Sequence, residues 1–140
     1  MTIVKTKWVS GTIFDSEVDG FKLRMDIPES TNQGPRPKPL LLVALSGCSG
    51  MDVTALLTKM RVTGYALNIQ LEADSTEEHP KVYHTIRMKY MFKGDNLSLD
   101  KVMKAVEMSR DRYCGVNAML KKAINIHIYI YFNETEVWHD

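Results

Sequence analysis

Residues 40–53 read Leu-Leu-Leu-Val-Ala-Leu-Ser-Gly-Cys-Ser-Gly-Met-Asp-Val, an apolar run that gives way to small residues around a cysteine. Pro39, just before it, suits the first turn of a helix, where its missing N–H would find no partner anyway. A helix is therefore predicted from about Pro39 to Lys59. Its first part, Leu40–Leu45, is apolar all round and has to be buried on every side. Ser46, Gly47, Ser49 and Gly50 then surround Cys48 with almost no side-chain bulk. Two glycines inside a helix cost about 1 kcal/mol each relative to alanine. Something must approach the backbone closely there, another helix or a ligand. Beyond Met51 the pattern turns amphipathic, through Val53, Leu56, Leu57 and Met60.

Upstream, Asp19-Gly20 reads as a turn between two short strands, roughly residues 2–14 and 21–26. A polar loop, Pro28–Pro39, leads from there into the helix and contains four of the chain's five prolines. Downstream, Leu67, Ile69, Leu71 and Ala73 alternate with polar residues, as a half-buried strand requires. Val82, Ile86, Met88, Tyr90 and Phe92 share one face of the next strand. The Ser75–Pro80 segment between them is a turn, which makes the pair an antiparallel hairpin. A second helix is expected after Asn96, with Ser98 as N-cap, ending near Cys114 with Gly115 available for a left-handed cap. A short third helix follows from about Asn117 to Lys122. In the last strand Ile124, Ile126, Ile128, Ile130 and Phe132 point one way.

The expected class is α+β, a single domain of residues 1–140. About five strands are thin cover for a helix that is apolar on all faces, and a dimer burying the central helices between two sheets would supply the rest.

Composition narrows the function. The chain has 44% hydrophobic and 25% charged residues, with eighteen basic against seventeen acidic side chains. A net charge of +1 argues against a dedicated nucleic-acid binder, which carries a clear basic excess. No uninterrupted apolar run approaches the ~18 residues that span a bilayer, and the N-terminus has no signal-peptide core. A cytoplasmic protein with no membrane partner and no cofactor is expected. Two cysteines 66 positions apart are too few for a disulfide scaffold and too distant for a local metal clip. Glu77-Glu78-His79-Pro80 is a solvated turn, and His84, His127 and His139 lack ligand spacing.

The chemistry, if any, rests on Cys48 and Cys114. Cys48 in an apolar helix has a plain alternative, a small buried hydrophobe, against which stands its collar of small residues. As a reactive thiol it needs a nearby cation, because it lies beyond the reach of the helix dipole and Asp52, one turn on, would disfavour a thiolate if it pointed the same way. Arg24 and Arg36 are the candidates. Cys114 stands just before the third helix, whose first-turn N–H groups would lower its pKa; a core role is equally open.

The order of elements, Leu40–Val53 and Tyr113-Cys114-Gly115-Val116 followed by a short helix resemble the OsmC/Ohr family of thiol-dependent hydroperoxide reductases. Thr76–Pro80 (TEEHP) and Ser109–Cys114 (SRDRYC) are similar to one branch of it. The resemblance implies an intertwined homodimer, its sheets wrapped around two central helices, with sites at the subunit interface. It implies an oxidative-stress role in which Cys48 is the peroxidatic thiol, attacking an organic hydroperoxide, and Cys114 is the resolving one. A dithiol, in one branch a lipoylated protein, would be the reductant. The family pairs the peroxidatic cysteine with an arginine, for which Arg24 is the choice, and with a glutamate at the start of the central helix. That glutamate position holds Pro39, and Gly115 stands where serine or proline is more usual. A non-catalytic dimer binding a small hydrophobic ligand, or a redox sensor, are the alternatives.

Overall fold

In the computed structural model, which describes all residues 1–140, the chain divides into two compact units, Met1–Val43 and Ala44–Asp140. The first is built on an antiparallel sheet of β1 (Lys5–Ser10), β2 (Ile13–Val18) and β3 (Phe21–Met25). The Asp19-Gly20 turn is where the sequence places it, between Val18 and Phe21. The single strand expected over residues 2–14 is instead two. The chain reverses at Gly11, whose φ of +51° glycine reaches at no steric cost. One glycine amid Trp8, Val9, Ile13 and Phe14 is a weak signal in the sequence, since the apolar residues run on through it.

The proline-rich loop after β3 is anchored by a buried carboxylate. Asp26, 1% exposed, accepts from the Thr12 hydroxyl at 2.5 Å and the Ile27 N–H at 2.7 Å. Its other oxygen accepts from the Thr31 hydroxyl at 2.5 Å and the Gln33 N–H at 2.9 Å. The Asp26 N–H in turn donates to the Pro35 carbonyl at 3.1 Å. Between them Gly34 passes so close to β3 that a Cβ there would stand 2.4 Å from the Arg24 carbonyl oxygen. Only glycine allows that approach. The hydroxyls of Thr12 and Thr31, outweighing burial, hold the Asp26 carboxyl far below the usual carboxylate range.

The central helix α1 runs from Leu40 to Lys59, starting one residue after Pro39, whose carbonyl accepts the Leu42 and Val43 N–H groups. Its length and mean hydropathy of 1.8 would let it cross a bilayer by those two criteria, although its uninterrupted apolar run, Leu40–Leu45, is short. Here one side of the helix belongs to a core: Leu45, Val53 and Leu57 are fully buried, and Gly50 faces Ile69, whose Cδ1 lies 3.0 Å from where a Cβ would be. The all-round burial expected for Leu40–Leu45 is not met within the chain. Leu45 is enclosed, but Leu41 and Val43 are exposed, Val43 by 61%, as is Met51 by 75%.

The second unit is a four-stranded sheet in the order β4 (Tyr65–Ser75), β5 (Tyr83–Gly94), β6 (Asn125–Phe132), β7 (Thr135–His139). The expected hairpin is β4–β5. Ile86, Met88, Tyr90 and Phe92 of β5 and Ile128 and Ile130 of β6 form one buried face, with Met88 opposite Ile128 and Tyr90 opposite Ile130. Each such side chain contributes roughly 1.5–3 kcal/mol of hydrophobic free energy. Because β5 and β6 are parallel, the chain between them must cross over one face of the sheet. That crossover carries α2 (Leu99–Met108), a π-helical turn (Ser109–Tyr113) and α3 (Gly115–Leu120). Ser98 caps α2, accepting the Lys101 N–H. Gly115, expected to end that helix in the left-handed region, instead opens α3. The π turn ends at Cys114, which is extended at φ −73° and ψ 101°, so no left-handed residue is needed. Strand β7 was not anticipated. It returns through Asn133-Glu134, both at positive φ, a turn with no glycine to mark it.

Candidate active site

Both cysteines lie in the second unit, and both are free thiols. Cys48 and Asp52 are one helical turn apart on α1, so their side chains project from the same face. Cys114 is the N-cap of α3, and its placement depends on the π turn, which closes with the Cys114 N–H donating to the Ser109 carbonyl at 2.9 Å. The Sγ atoms of Cys48 and Cys114 and a carboxylate oxygen of Asp52 all lie within 4.8 Å of one another. Cys48 is half-buried and Cys114 is 2% exposed.

The Ser49 hydroxyl, buried on α1, donates to Cys114 Sγ at 3.4 Å, and the Asn117 N–H donates to the same atom at 3.3 Å. Asn117 is itself held by its side chain, which donates to the Arg110 carbonyl at 2.8 Å. The Ser109 hydroxyl donates to Asp52 Oδ2 at 3.1 Å. Tyr90, buried on β5, reaches Ser49 with its hydroxyl, and burial pushes its pKa up.

Cys114 departs from the sequence expectation in one respect. The first-turn N–H of α3 is there and does favour the thiolate. Burial, first, and the neighbouring Cys48 thiol, second, outweigh it and the Ser49 hydroxyl, so the Cys114 pKa is raised. A sulfur in this state is a protonated thiol at neutral pH and needs its proton removed before it can attack.

The arginines proposed from sequence belong to the other unit. Arg24, on β3, makes a fork to Asp15, Nε to Oδ1 at 2.7 Å and Nη2 to Oδ2 at 2.8 Å, and donates from Nη1 to Gln33 at 2.7 Å. That pair raises the Arg24 pKa and lowers that of Asp15. Arg36 pairs with Glu29. The first turn of α1 contains no acidic residue, as Pro39 implied. Beside Asp52 a cavity of about 130 Å³ is lined by Ala55, Leu56, Lys59 and Tyr113. The Glu77-Glu78-His79 turn is exposed and gathers no ligand set. Of the groups around the sulfurs, sequence pointed to Asp52 through its four-residue spacing from Cys48. Ser109, Tyr90 and Asn117 carry no comparable signal, because each reaches the site from a different element.

Residues 30–128 match the family model described as OsmC-like protein. The chain is 35% identical over 127 residues to Protein YhfA of Escherichia coli K12, covering 89% of this chain and 94% of that one. A hypothetical protein from Aquifex aeolicus has the same fold, with a TM-score of 0.86 at 30% identity, covering 95% of this chain and 96% of the other. An OsmC like protein from Mycoplasma pneumoniae superposes with a TM-score of 0.82 at 14% identity, covering 94% and 96%. The organic hydroperoxide resistance protein OhrB of Bacillus subtilis does so at 0.62 and 11%, covering 95% and 98%. At those last two identities the likeness is one of fold. The matched segment takes in both cysteines, the helix that carries Cys48 and the crossover that carries Cys114, and on this ground the chain belongs to the family of OsmC-like proteins.

Proposed function

We propose that the protein is a thiol-dependent reductase of organic hydroperoxides, with Cys48 as the peroxidatic and Cys114 as the resolving thiol. The observation that carries this reading is the meeting of the chain's two cysteines, their sulfurs within 4.8 Å although 66 positions separate them. Their unequal burial fits a division of labour. Half-buried Cys48 is accessible to a substrate, whereas Cys114 is closed to bulk peroxide and open only towards its partner sulfur.

The Cys48 thiolate attacks the terminal oxygen of ROOH; an S–O bond forms, the O–O bond breaks, and the alkoxide leaves as ROH after taking a proton. Cys114 then gives up its proton and attacks the Cys48 sulfenic acid, expelling water and forming a disulfide. An external dithiol supplies the two electrons that restore both thiols; a lipoylated protein is the reductant the family resemblance favours. Arg24 is the proposed activating cation, with its charge and orientation fixed by Asp15 and not by a glutamate on α1. The name of the Bacillus subtilis neighbour supports the substrate class.

The working unit is proposed to be a homodimer of single-domain chains in the cytoplasm. Exposed Leu41, Val43 and Met51 on α1 support it, since an apolar helix face of this kind calls for cover. Sedimentation equilibrium should give twice the 16.0 kDa chain mass; a folded monomer at low micromolar concentration rejects this part.

Cysteine variants test the mechanism. Cys48→Ser should reduce dithiol-dependent hydroperoxide consumption to the uncatalysed rate, because a hydroxyl is a far poorer nucleophile at neutral pH. Cys114→Ser should still consume one equivalent and leave a trappable sulfenic acid on Cys48. Equal, slow consumption by the parent and Cys48→Ser would transfer the argument to the second reading, a dimer binding a small hydrophobic ligand, which the absence of an acidic residue from the first turn of α1 favours.

A further inference from the structure

The same three donor atoms suit a second chemistry that does not depend on peroxide turnover. Cys48 and Asp52 have the four-residue spacing by which one helix face offers two ligands to one ion. Cys114 completes the set from the crossover, and all three donor atoms lie within 4.8 Å of one another. The 66 positions between the cysteines rule out a local clip along the chain, and the fold removes that separation. In a tetrahedral zinc site, with Zn–S near 2.3 Å and Zn–O near 2.0–2.2 Å, ligand atoms stand roughly 3.5–3.8 Å apart. Closure from the present geometry takes about one ångström of side-chain movement, well within rotamer and helix adjustments.

The surroundings are also those of a metal site. Ligands are oriented and made more basic or more stable as anions by the groups that hydrogen-bond to them. Here Ser109 holds one oxygen of Asp52, leaving the other for coordination, and Ser49 and the Asn117 N–H direct two donors at Cys114 Sγ. Two thiolates select a borderline-soft cation over magnesium or calcium. One carboxylate and two sulfurs leave a fourth position for a further ligand such as water.

We infer that the dithiol form of the protein binds one zinc ion per chain through Cys48 Sγ, Cys114 Sγ and the Asp52 carboxylate, with release of the two thiol protons. Metal and disulfide then compete for the same electron pairs. Bound zinc withdraws both sulfurs from oxidation, and oxidation of the pair expels the metal. The site is thereby a redox-gated zinc site, whatever oxidant acts on the thiols.

The test titrates reduced, full-length protein with zinc alone, under argon, against a chromophoric chelator. One ion per chain is expected, and none for the disulfide form. Cys48→Ser and Cys114→Ser should each bind at least about 100-fold more weakly, and Asp52→Asn about 10–100-fold more weakly. Cobalt in place of zinc should give a thiolate-to-metal charge-transfer band with the intense visible bands of a tetrahedral site. Should Asp52→Asn fail to fold, Ser109→Ala, which frees the carboxylate without removing it, should weaken zinc about 10-fold. The proposal is overturned if Asp52→Asn and Ser109→Ala titrate like the parent, if one ion serves two chains, or if the cobalt protein lacks the charge-transfer band. Because the readout is metal occupancy, its failure leaves the peroxidase reading standing, and the converse also holds.

Discussion

Asp26 and Asp52 are both carboxylates set among buried groups, yet they are finished to different degrees. Asp26 accepts four hydrogen bonds, two from threonine hydroxyls and two from backbone N–H groups, and is almost wholly enclosed. Such a group has nothing left to offer a ligand; it holds a loop in place. Asp52 accepts one hydroxyl and faces two sulfurs across a space that is only half closed. The contrast separates a structural acid from a chemical one by the count of unspent acceptor capacity, not by burial. Each unit also has its own tryptophan, Trp8 in the first and Trp138 in the second, so the two sites can be followed separately.

The largest expected effect is on the structural side. Asp26→Ala strips four donors of their acceptor, and the Trp8 fluorescence transition should fall by many degrees, while Asp52→Asn, which keeps an acceptor for Ser109, should cost about 1 kcal/mol or less. Comparable losses from the two substitutions would dissolve the distinction. Next comes Gly34→Ala, which leaves Asp26 untouched but drives a Cβ to within 2.4 Å of the Arg24 carbonyl. It should destabilise by about 1–3 kcal/mol, read again at Trp8; thermal melts equal to the parent's would show that the loop yields freely.

How far the sequence could take this depends on the range of each signal. The boundaries of α1, the Asp19-Gly20 turn, the Ser98 cap and the alternation of β5 and β6 are local, and each was legible in a few consecutive residues. The reversal at Gly11, the return into β7 and the parallel pairing of β5 with β6 were not, since each is settled by what lies across the sheet. Asp26 carries no mark in the sequence, because its partners, Thr12 and Thr31, are ordinary residues 14 and 5 positions away. Cys48 and Cys114 stand out as the chain's only cysteines, on helices that must share one core, and the family resemblance adds their separate roles. Nothing along the chain itself shows that a π turn will bring Cys114 to a sulfur 66 residues earlier.

Acid exposes the contrast at a finer level. A carboxyl whose folded pKa is depressed stabilises above its ordinary pKa and loses that contribution as pH falls through the folded value. For Asp26 the loss should set in below pH ~4, and Asp26→Asn should flatten this limb of the Trp8 transition. An unchanged acid limb would mean that another carboxylate controls it. The smallest effect concerns Cys114. In a Cys48→Ser background its thiol should titrate lower than in the parent, by ultraviolet thiolate absorbance, because a neighbour that raises its pKa has been removed; adding Ser49→Ala should move it back up. An unchanged titration in both variants would mean that burial alone sets this thiol.

The crossover between β5 and β6 has a consequence for the protein while it is being made. Cys48 leaves the ribosome 66 residues ahead of Cys114, and at 5–20 residues per second that is an interval of about 3–13 s. The parallel pairing then delays the meeting further, because β6 must emerge and dock before the crossover is pinned to the sheet. Throughout this time the nascent chain displays one thiol without its partner. An oxidant that reaches Cys48 then leaves a sulfenic acid that cannot close to a disulfide, and further oxidation to the sulfinic acid is irreversible for most proteins. The greatest vulnerability of this site to oxidation therefore falls during synthesis, when the fold cannot yet supply the partner thiol.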